Sequence, residues 1–279
     1  MTKRGKDANF FTRITYFWQM QFIDQLTHTI NLSKTPQRIV SLVPSQSEFL
    51  WQIGLRNELV GITKFCIKPE EMYKSIPHVG GTKKLNLEKI RALKPDLIIG
   101  NKEENEQSQI EILQKEFPLW MSDIYTFEDA FDMMLSLGKL LDKKETALQL
   151  VNEIKQSLQN IKNSFNKQRL AYFIWNEPYM CAAKNTFIDF VLNYLGFENV
   201  LKDFSRYPEL SNEDLKKLNP EICFLSSEPF PFKEQHMKIL QEKLPHSKIL
   251  IVDGELFSWY GSRLLYLEKY IKELKTRLI

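Results

Sequence analysis

The side chains of this sequence best suited to holding another molecule are aromatic. Phe65, Trp175, Tyr179, Tyr207, Phe257, Trp259 and Tyr260 fall in or beside segments that read as loops, several of them directly after a short apolar run. An aromatic ring offers a broad apolar face, and Tyr and Trp add one polar atom at its edge, so such a set suits a large, flat, partly apolar ligand. Each ring taken singly is better read as partly buried against its own domain; it is the set that points to a ligand. Two acids form a second pair: Glu88 and Glu213 each stand in the first turn of a short capped helix, where the helix dipole favours a negative charge.

Catalytic and metal-binding signals are weak by comparison. The four histidines, His28, His78, His236 and His246, are scattered, and no HxH, HExxH, GxSxG or phosphate-cradling glycine motif occurs. Cys66, Cys181 and Cys223 are an odd, widely spaced set that reads as buried free thiols. With 38 basic against 35 acidic residues, the net charge of +3 gives no field that argues for nucleic acid. The expectation is therefore a binding protein with no catalytic residue, no metal site and no resident cofactor.

The elements that must position these residues alternate. Arg38 to Val43 is a short apolar strand, followed by Pro44 and by Ser45-Gln46-Ser47-Glu48, which has the spacing of a capping box opening a helix that stops at Gly54. Leu59 to Thr63 is a strand. Asn86 caps a helix that ends at Lys94-Pro95, and Leu97-Ile98-Ile99 and Leu119 to Ser122 are further strands. From Asp142 to about Lys167 apolar residues recur at helical spacing with no Gly or Pro, which predicts one long helix of about 25 residues and 37 Å, with Asp142 and Glu145 at N-cap and N3. Beyond it the pattern restarts: strand Leu170 to Trp175, helix Thr186 to Leu195 closed by Gly196, strands Ile222 to Leu225 and Ile249 to Val252, and a last helix from Ser262 to Leu278. Alternation of this kind predicts an α/β fold with mostly parallel sheets.

An internal repeat organises the two halves. Asn86-Leu87-Glu88 through Pro95-Asp96-Leu97 matches Ser211-Asn212-Glu213 through Pro220-Glu221-Ile222: a capped two-turn helix, a proline stop, an acid and a buried strand. Two copies mean two related lobes rather than a solenoid. The expected layout is an extension over 1–19, one lobe over 20–141, a bridging helix over 142–167 and a second lobe over 168–279, with a ligand cleft between the lobes. The strand-end loops that would line it include Val43-Pro44-Ser45, Lys64-Phe65-Cys66, Gly100-Asn101, Asn176-Glu177-Pro178-Tyr179 and Ser226-Ser227-Glu228.

From about Gln25 to Leu278 the sequence resembles the class III substrate-binding proteins of ABC importers, the helical-backbone metal receptor group that includes cobalamin and iron-siderophore binders. The resemblance is carried by Pro36-Gln37-Arg38-Ile39-Val40-Ser41-Leu42 with Pro44 and Glu48, by the segment from Asn86 to Ile99, and by the lone bridging helix. It implies rigid lobes with small hinge motion, a cobalamin-like corrinoid, haem or ferric chelate as ligand, and a permease dimer as partner, with Glu88 and Glu213 as the glutamates that dock onto it. It also implies a monomer. Phe65 fits a tyrosine position of the cobalamin site, Tyr207 lies near a tryptophan position, and Glu255 falls where an aspartate meets the ligand, ahead of Phe257, Trp259 and Tyr260. Thr82 or Lys83, and Asn101, stand where tryptophans are expected, and Arg263, near the start of the last helix, reads as solvated, with an anionic ligand group as its other candidate partner.

The resemblance implies a periplasmic protein. Against that, Lys3, Arg4 and Lys6 precede an apolar stretch that Arg13 interrupts, with no small-residue cleavage site, so no signal peptide is expected. A cytoplasmic tetrapyrrole or corrinoid carrier that never meets a permease is thus a second reading. A chelatase-like enzyme is a third, disfavoured by the scattered histidines.

Overall fold

The computed structural model describes residues 20–278, so the reading of 1–19 as an extension lies outside the described residues. The first lobe runs β1 (Met20–Ile23), β2 (Thr29–Leu32), β3 (Ile39–Ser41), α1 (Pro44–Gln52), β4 (Leu59–Ile62), α2 (Glu70–Ser75), α3 (Leu87–Leu93), β5 (Leu97–Asn101), α4 (Gln107–Glu116) and β6 (Leu119–Ser122). Its main sheet has the order β4-β3-β5-β6, and every pairing is parallel. The strands read as unbroken apolar runs because helices cover both faces; all five residues of β5 are buried. The antiparallel hairpin β1–β2 docks on this lobe through Asp24, whose carboxylate accepts the amides of Leu26, His28 and Met121.

The second lobe runs β7 (Arg169–Trp175), β8 (Tyr179–Cys181), α7 (Phe187–Leu195), β9 (Glu198–Asn199), β10 (Glu209–Leu210), α8 (Asn212–Leu218), β11 (Ile222–Ser226), α9 (Glu234–Lys243), β12 (Lys248–Val252), a short helix at Glu255–Ser258, a 3-10 turn at Ser262–Tyr266 and a final helix at Leu267–Leu278. β7, β11 and β12 are parallel neighbours. β9 pairs in parallel with the start of β7, as β4 does with β3, but only for two residues. The antiparallel β8, itself paired with β10, occupies the rest of that edge.

The repeat is visible at atomic level. Asn86 and Ser211 cap α3 and α8, and both helices end on a left-handed residue, Lys94 (φ 46°) and Asn219 (φ 41°). The acid after each proline binds the start of the neighbouring strand: Asp96 accepts the amides of Gln37 and Arg38, and Glu221 that of Arg169. Arg38 and Arg169 then donate to the last carbonyls of α3 and α8 respectively. An arginine at the start of the strand and an acid after the helix therefore form the same latch in both lobes, satisfying carbonyls that a helix end leaves open.

Between the lobes the structure departs from expectation in two ways. The helix predicted over 142–167 spans only Lys144–Gln159 (α6), about 24 Å, and Asp142 is not its N-cap but a left-handed residue at φ 56°. Ahead of it lies a helix the sequence reading did not place, α5 (Phe127–Leu140), opened by a capping box between Thr126 and Asp129. The two pack so closely that a Cβ on Gly138 would lie 2.5 Å from the Cβ of Ala147, which is why position 138 is glycine.

Phe127 of α5 meets Phe187, Phe190 and Tyr194 of α7 edge-on, at centroid distances of 5.0 to 5.8 Å. The apolar core at this junction is continuous from Ile39 and Phe49 of the first lobe to Tyr172 and Leu274 of the second. Two smaller cores cover the outer face of each sheet. The capping box expected at Ser45–Glu48 does not form. Val43 is the N-cap and Pro44 opens α1, while Ser47 bonds Ser41 and the carbonyl of Val43.

Candidate functional site

The parallel strands of both sheets end toward the space between the lobes, where a cleft of about 590 Å3 opens. Residues just beyond β5 and β6 line one side (Lys102, Glu103, Asp123, Tyr125), and Asn185 and Arg206 line the other. Ligand sites of open α/β sheets lie at such strand ends.

One constellation spans the cleft. Glu103 of the first lobe places Oε1 within 3.1 Å of the Arg206 guanidinium and accepts the Tyr207 hydroxyl at 2.5 Å, both from the second lobe. Arg206 lies over the rings of Tyr125 and Tyr207, 5.9 and 5.4 Å from their centres, and donates to the carbonyl of Asn185. Its backbone is left-handed, φ 64°, unusual for a non-glycine residue and held by the bond from its amide to the carbonyl of Lys184. Burial and the charge of Glu103 push the Tyr207 hydroxyl well above the usual tyrosine range, so it stays protonated and donates. Beside this group Lys102 pairs with Asp123 at 2.7 Å.

Deeper in, burial together with the charges of Glu103 and Glu228 pushes the Glu104 carboxyl up to about 7. Glu228 comes from the opposite lobe, accepts the Ser258 hydroxyl at 2.6 Å, and is itself raised, mainly by burial.

A second interlobe contact is closed. Arg263 makes two hydrogen bonds to Glu48 of α1, at 3.0 and 2.6 Å, lies 3.6 Å from Glu255, and covers the Trp259 ring at 5.2 Å. Arg263, Glu48 and Glu255 are only 11 to 12% exposed. Burial raises both carboxyls, and Arg263 opposes that shift.

The expected site residues divide accordingly. Tyr207 reaches the cleft. Phe65 and Trp175 are exposed, Phe65 against Gly81 under the Lys64 ammonium, Trp175 edge-on to Phe230. Tyr179 lines a separate hollow of about 310 Å3 with Lys243, Ser211 and Asn212, its hydroxyl accepting from Lys243.

Phe257 is fully buried against Tyr172, Phe224 and Tyr270, which removes it from any ligand surface. Glu255 and Trp259 belong to the Arg263 contact, and Tyr260 is buried against Phe187. Arg263, read as solvated or as facing a ligand anion, is taken up by Glu48. Asn101 is buried, donating to Ser122.

Sequence reading did not single out Lys102, Glu103, Asp123, Tyr125 or Arg206. The signal for the first four was their place immediately beyond β5 and β6. Arg206 carried none, since it sits in a long irregular segment.

Glu88 and Glu213 are both exposed at the starts of α3 and α8. Glu88 is 86% exposed and shares Arg91 with Glu116, and Arg91 binds Glu116 through two hydrogen bonds. Among the described residues no group of three or more His, Cys, Asp or Glu side chains is placed to hold a metal ion. His28 bonds Asp24 and His78 bonds the carbonyl of Tyr73.

Two similar α/β lobes with their strand ends facing across a cleft, joined by a bridging helix, define a two-lobed ligand receptor. The chain belongs to the periplasmic binding protein family, which matches residues 39–244. It is 26% identical over 257 residues to the ABC transporter substrate-binding lipoprotein YvrC of Bacillus subtilis, covering 87% of this chain and 81% of that one. It is 28% identical over 195 residues to a vitamin B12-binding protein of Vibrio campbellii, covering 68% and 70%. The solved periplasmic haem-binding protein BhuT, in complex with two haems, shares the fold with a TM-score of 0.77 at 19% identity, over 88% of this chain and all of that one. Members of the family bind substrates rather than transform them.

Proposed function

We propose that this chain captures a corrinoid or a comparable macrocyclic chelate between its lobes and delivers it to an ABC permease, without catalysis and as a monomer. The observation that carries the reading is the interlobe cleft. Its volume lies within the range of small-molecule sites, it takes residues from both lobes, and the rings of Tyr125 and Tyr207 flank an arginine inside it. The vitamin B12-binding relative supports a corrinoid ahead of haem or a ferric siderophore, because the haem-binding neighbour shares the fold alone. The ligand is cargo, with no resident cofactor.

Glu88 and Glu213 occupy equivalent, exposed positions at the starts of α3 and α8. Paired carboxylates presented this way match two arginines on a symmetric permease.

Mass spectrometry of material that copurifies with the protein, followed by titration of its tryptophan fluorescence, tests the ligand. A one-to-one complex with a corrinoid is expected, and absence of quenching by cobalamins, haem and ferric siderophores alike would reject the reading. For the partner, Glu88→Ala and Glu213→Ala should each lower permease stimulation about tenfold, a loss of about 1.4 kcal/mol, while leaving ligand affinity unchanged. Full transport by the double variant would rule out docking through these residues and leave a carrier that meets no permease.

A further inference from the structure

The Glu103 contact has the form of a site occupied by a stand-in. Two donors of the second lobe, the Arg206 guanidinium and the Tyr207 hydroxyl, converge on a single oxygen, Glu103 Oε1, inside the cleft. Neither needs Glu103 for its placement. Arg206 is fixed from its own lobe by the carbonyl of Asn185, by its left-handed backbone and by the amide bond to Lys184, and Tyr207 packs its ring against the junction core. Tyr125 forms an apolar floor beneath the guanidinium. Glu103, by contrast, stands on the turn after β5, and its carboxylate is held by these two donors of the opposite lobe rather than by its own. A fixed arginine fork with a hydroxyl donor beside it is the arrangement that recognises a carboxylate or a phosphate.

We infer that Arg206 and Tyr207 form a subsite for an anionic oxygen of the ligand, carboxylate or phosphate, and that Glu103 occupies it until the ligand displaces it. This rests on the reading of the cleft as the ligand site and adds to it the chemistry of one edge of the ligand. The other cations near the cleft are less suited. Lys102 is held by Asp123 and Arg263 by Glu48 and Glu255, and the Lys83 ammonium donates to the carbonyl of Glu103. Displacement also has a mechanical consequence: breaking the Glu103 contact frees one of the polar ties between the lobes, so the ligand's anion both opens the cleft and replaces the tie.

Two matched ligand pairs test this by calorimetry or fluorescence titration. Cyanocobalamin and dicyanocobinamide share a corrin ring with and without the nucleotide phosphodiester; haemin and its dimethyl ester share a porphyrin with and without free carboxylates. In whichever pair binds, the anion-bearing member should bind at least about tenfold more tightly, and the pair that shows the gap identifies phosphate or carboxylate as the source. Arg206→Gln should close the gap by weakening only the anion-bearing member, and Tyr207→Phe should narrow it. Glu103→Gln should raise affinity for that member several-fold by removing the competitor.

Equal affinities within the binding pair, or a gap that survives Arg206→Gln in a variant with parental thermal stability, would overturn the subsite while leaving the cleft as the ligand site. If Arg206→Gln does not fold, the response to Tyr207→Phe and Glu103→Gln decides: no narrowing by the first and no gain from the second overturns the subsite. Binding of none of the four probes overturns the subsite, and failure of ferric siderophores as well overturns the ligand reading with it.

Discussion

Glu104 shows how much a single side chain's environment decides. Nothing in its neighbours along the chain sets it apart from Glu103, yet Glu103 meets an arginine across the cleft while the Glu104 carboxyl is buried, beside the charges of Glu103 and Glu228, with Lys83 opposing them. Its carboxyl, pushed up to about 7, is protonated in the folded protein over a range in which the unfolded chain has already lost the proton. The native state therefore binds more protons than the unfolded state between the ordinary carboxylate range and about pH 7, and stability falls as pH rises through that window. Glu228, Glu48 and Glu255, all raised by burial, act in the same direction. Glu104→Gln should match the parent near pH 4 and exceed it in melting temperature near pH 8. A constant difference across the whole range would contradict this.

At the scale of elements, spacing and capping made most of the helices and strands legible, while close approach between them was not. The signals for α3 and α8, an Asn or Ser cap, a first-turn glutamate and a proline stop, were complete in the sequence because they act within about ten residues. The end of the bridging helix was not legible. Its apolar spacing continues through Ile161 and Phe165, but the backbone turns after Gln159, and the amides of Asn163 and Phe165 go to carbonyls of Tyr194 and Leu195 at the end of α7.

The packing of α5 on α6 depends in turn on Gly138. Alanine there favours the helix by about 1 kcal/mol, yet its Cβ would meet that of Ala147, both carried on fixed backbone. Overpacking costs about 1–3 kcal/mol, so Gly138→Ala should be net destabilising in urea, and adding Ala147→Gly should recover part of the loss. A neutral or stabilising Gly138→Ala would show that the two helices separate at little cost.

Across the whole molecule, the lobes are less independent than a repeat joined by a helix implies. The junction core runs unbroken through both, and the Arg263 contact and the aromatic group around Phe127 add to it. Lobes that share a core unfold together. Urea unfolding monitored in single-tryptophan variants should therefore coincide for Trp120 in the first lobe and Trp259 in the second. Two separated transitions would mean that the shared core is not the stabilising unit. The same continuity limits hinge motion, which leaves the Glu103 contact at the cleft as the adjustable tie.

By itself the sequence determined the alternation of strands and helices, the duplication and the exposed glutamates of α3 and α8, because these are properties of local spacing and capping. Only the tertiary structure decided which strand-end side chains share the cleft. It turned Phe257, Trp259 and Tyr260 inward, gave Arg263 to Glu48, and brought Glu103 to Arg206 from 103 residues away in the chain. The physical reason is that an aromatic or charged residue in a loop fits a core, a buried ion pair or a ligand surface equally well. Which of these it joins depends on what the opposite lobe places against it, and that is not written in its neighbours along the chain.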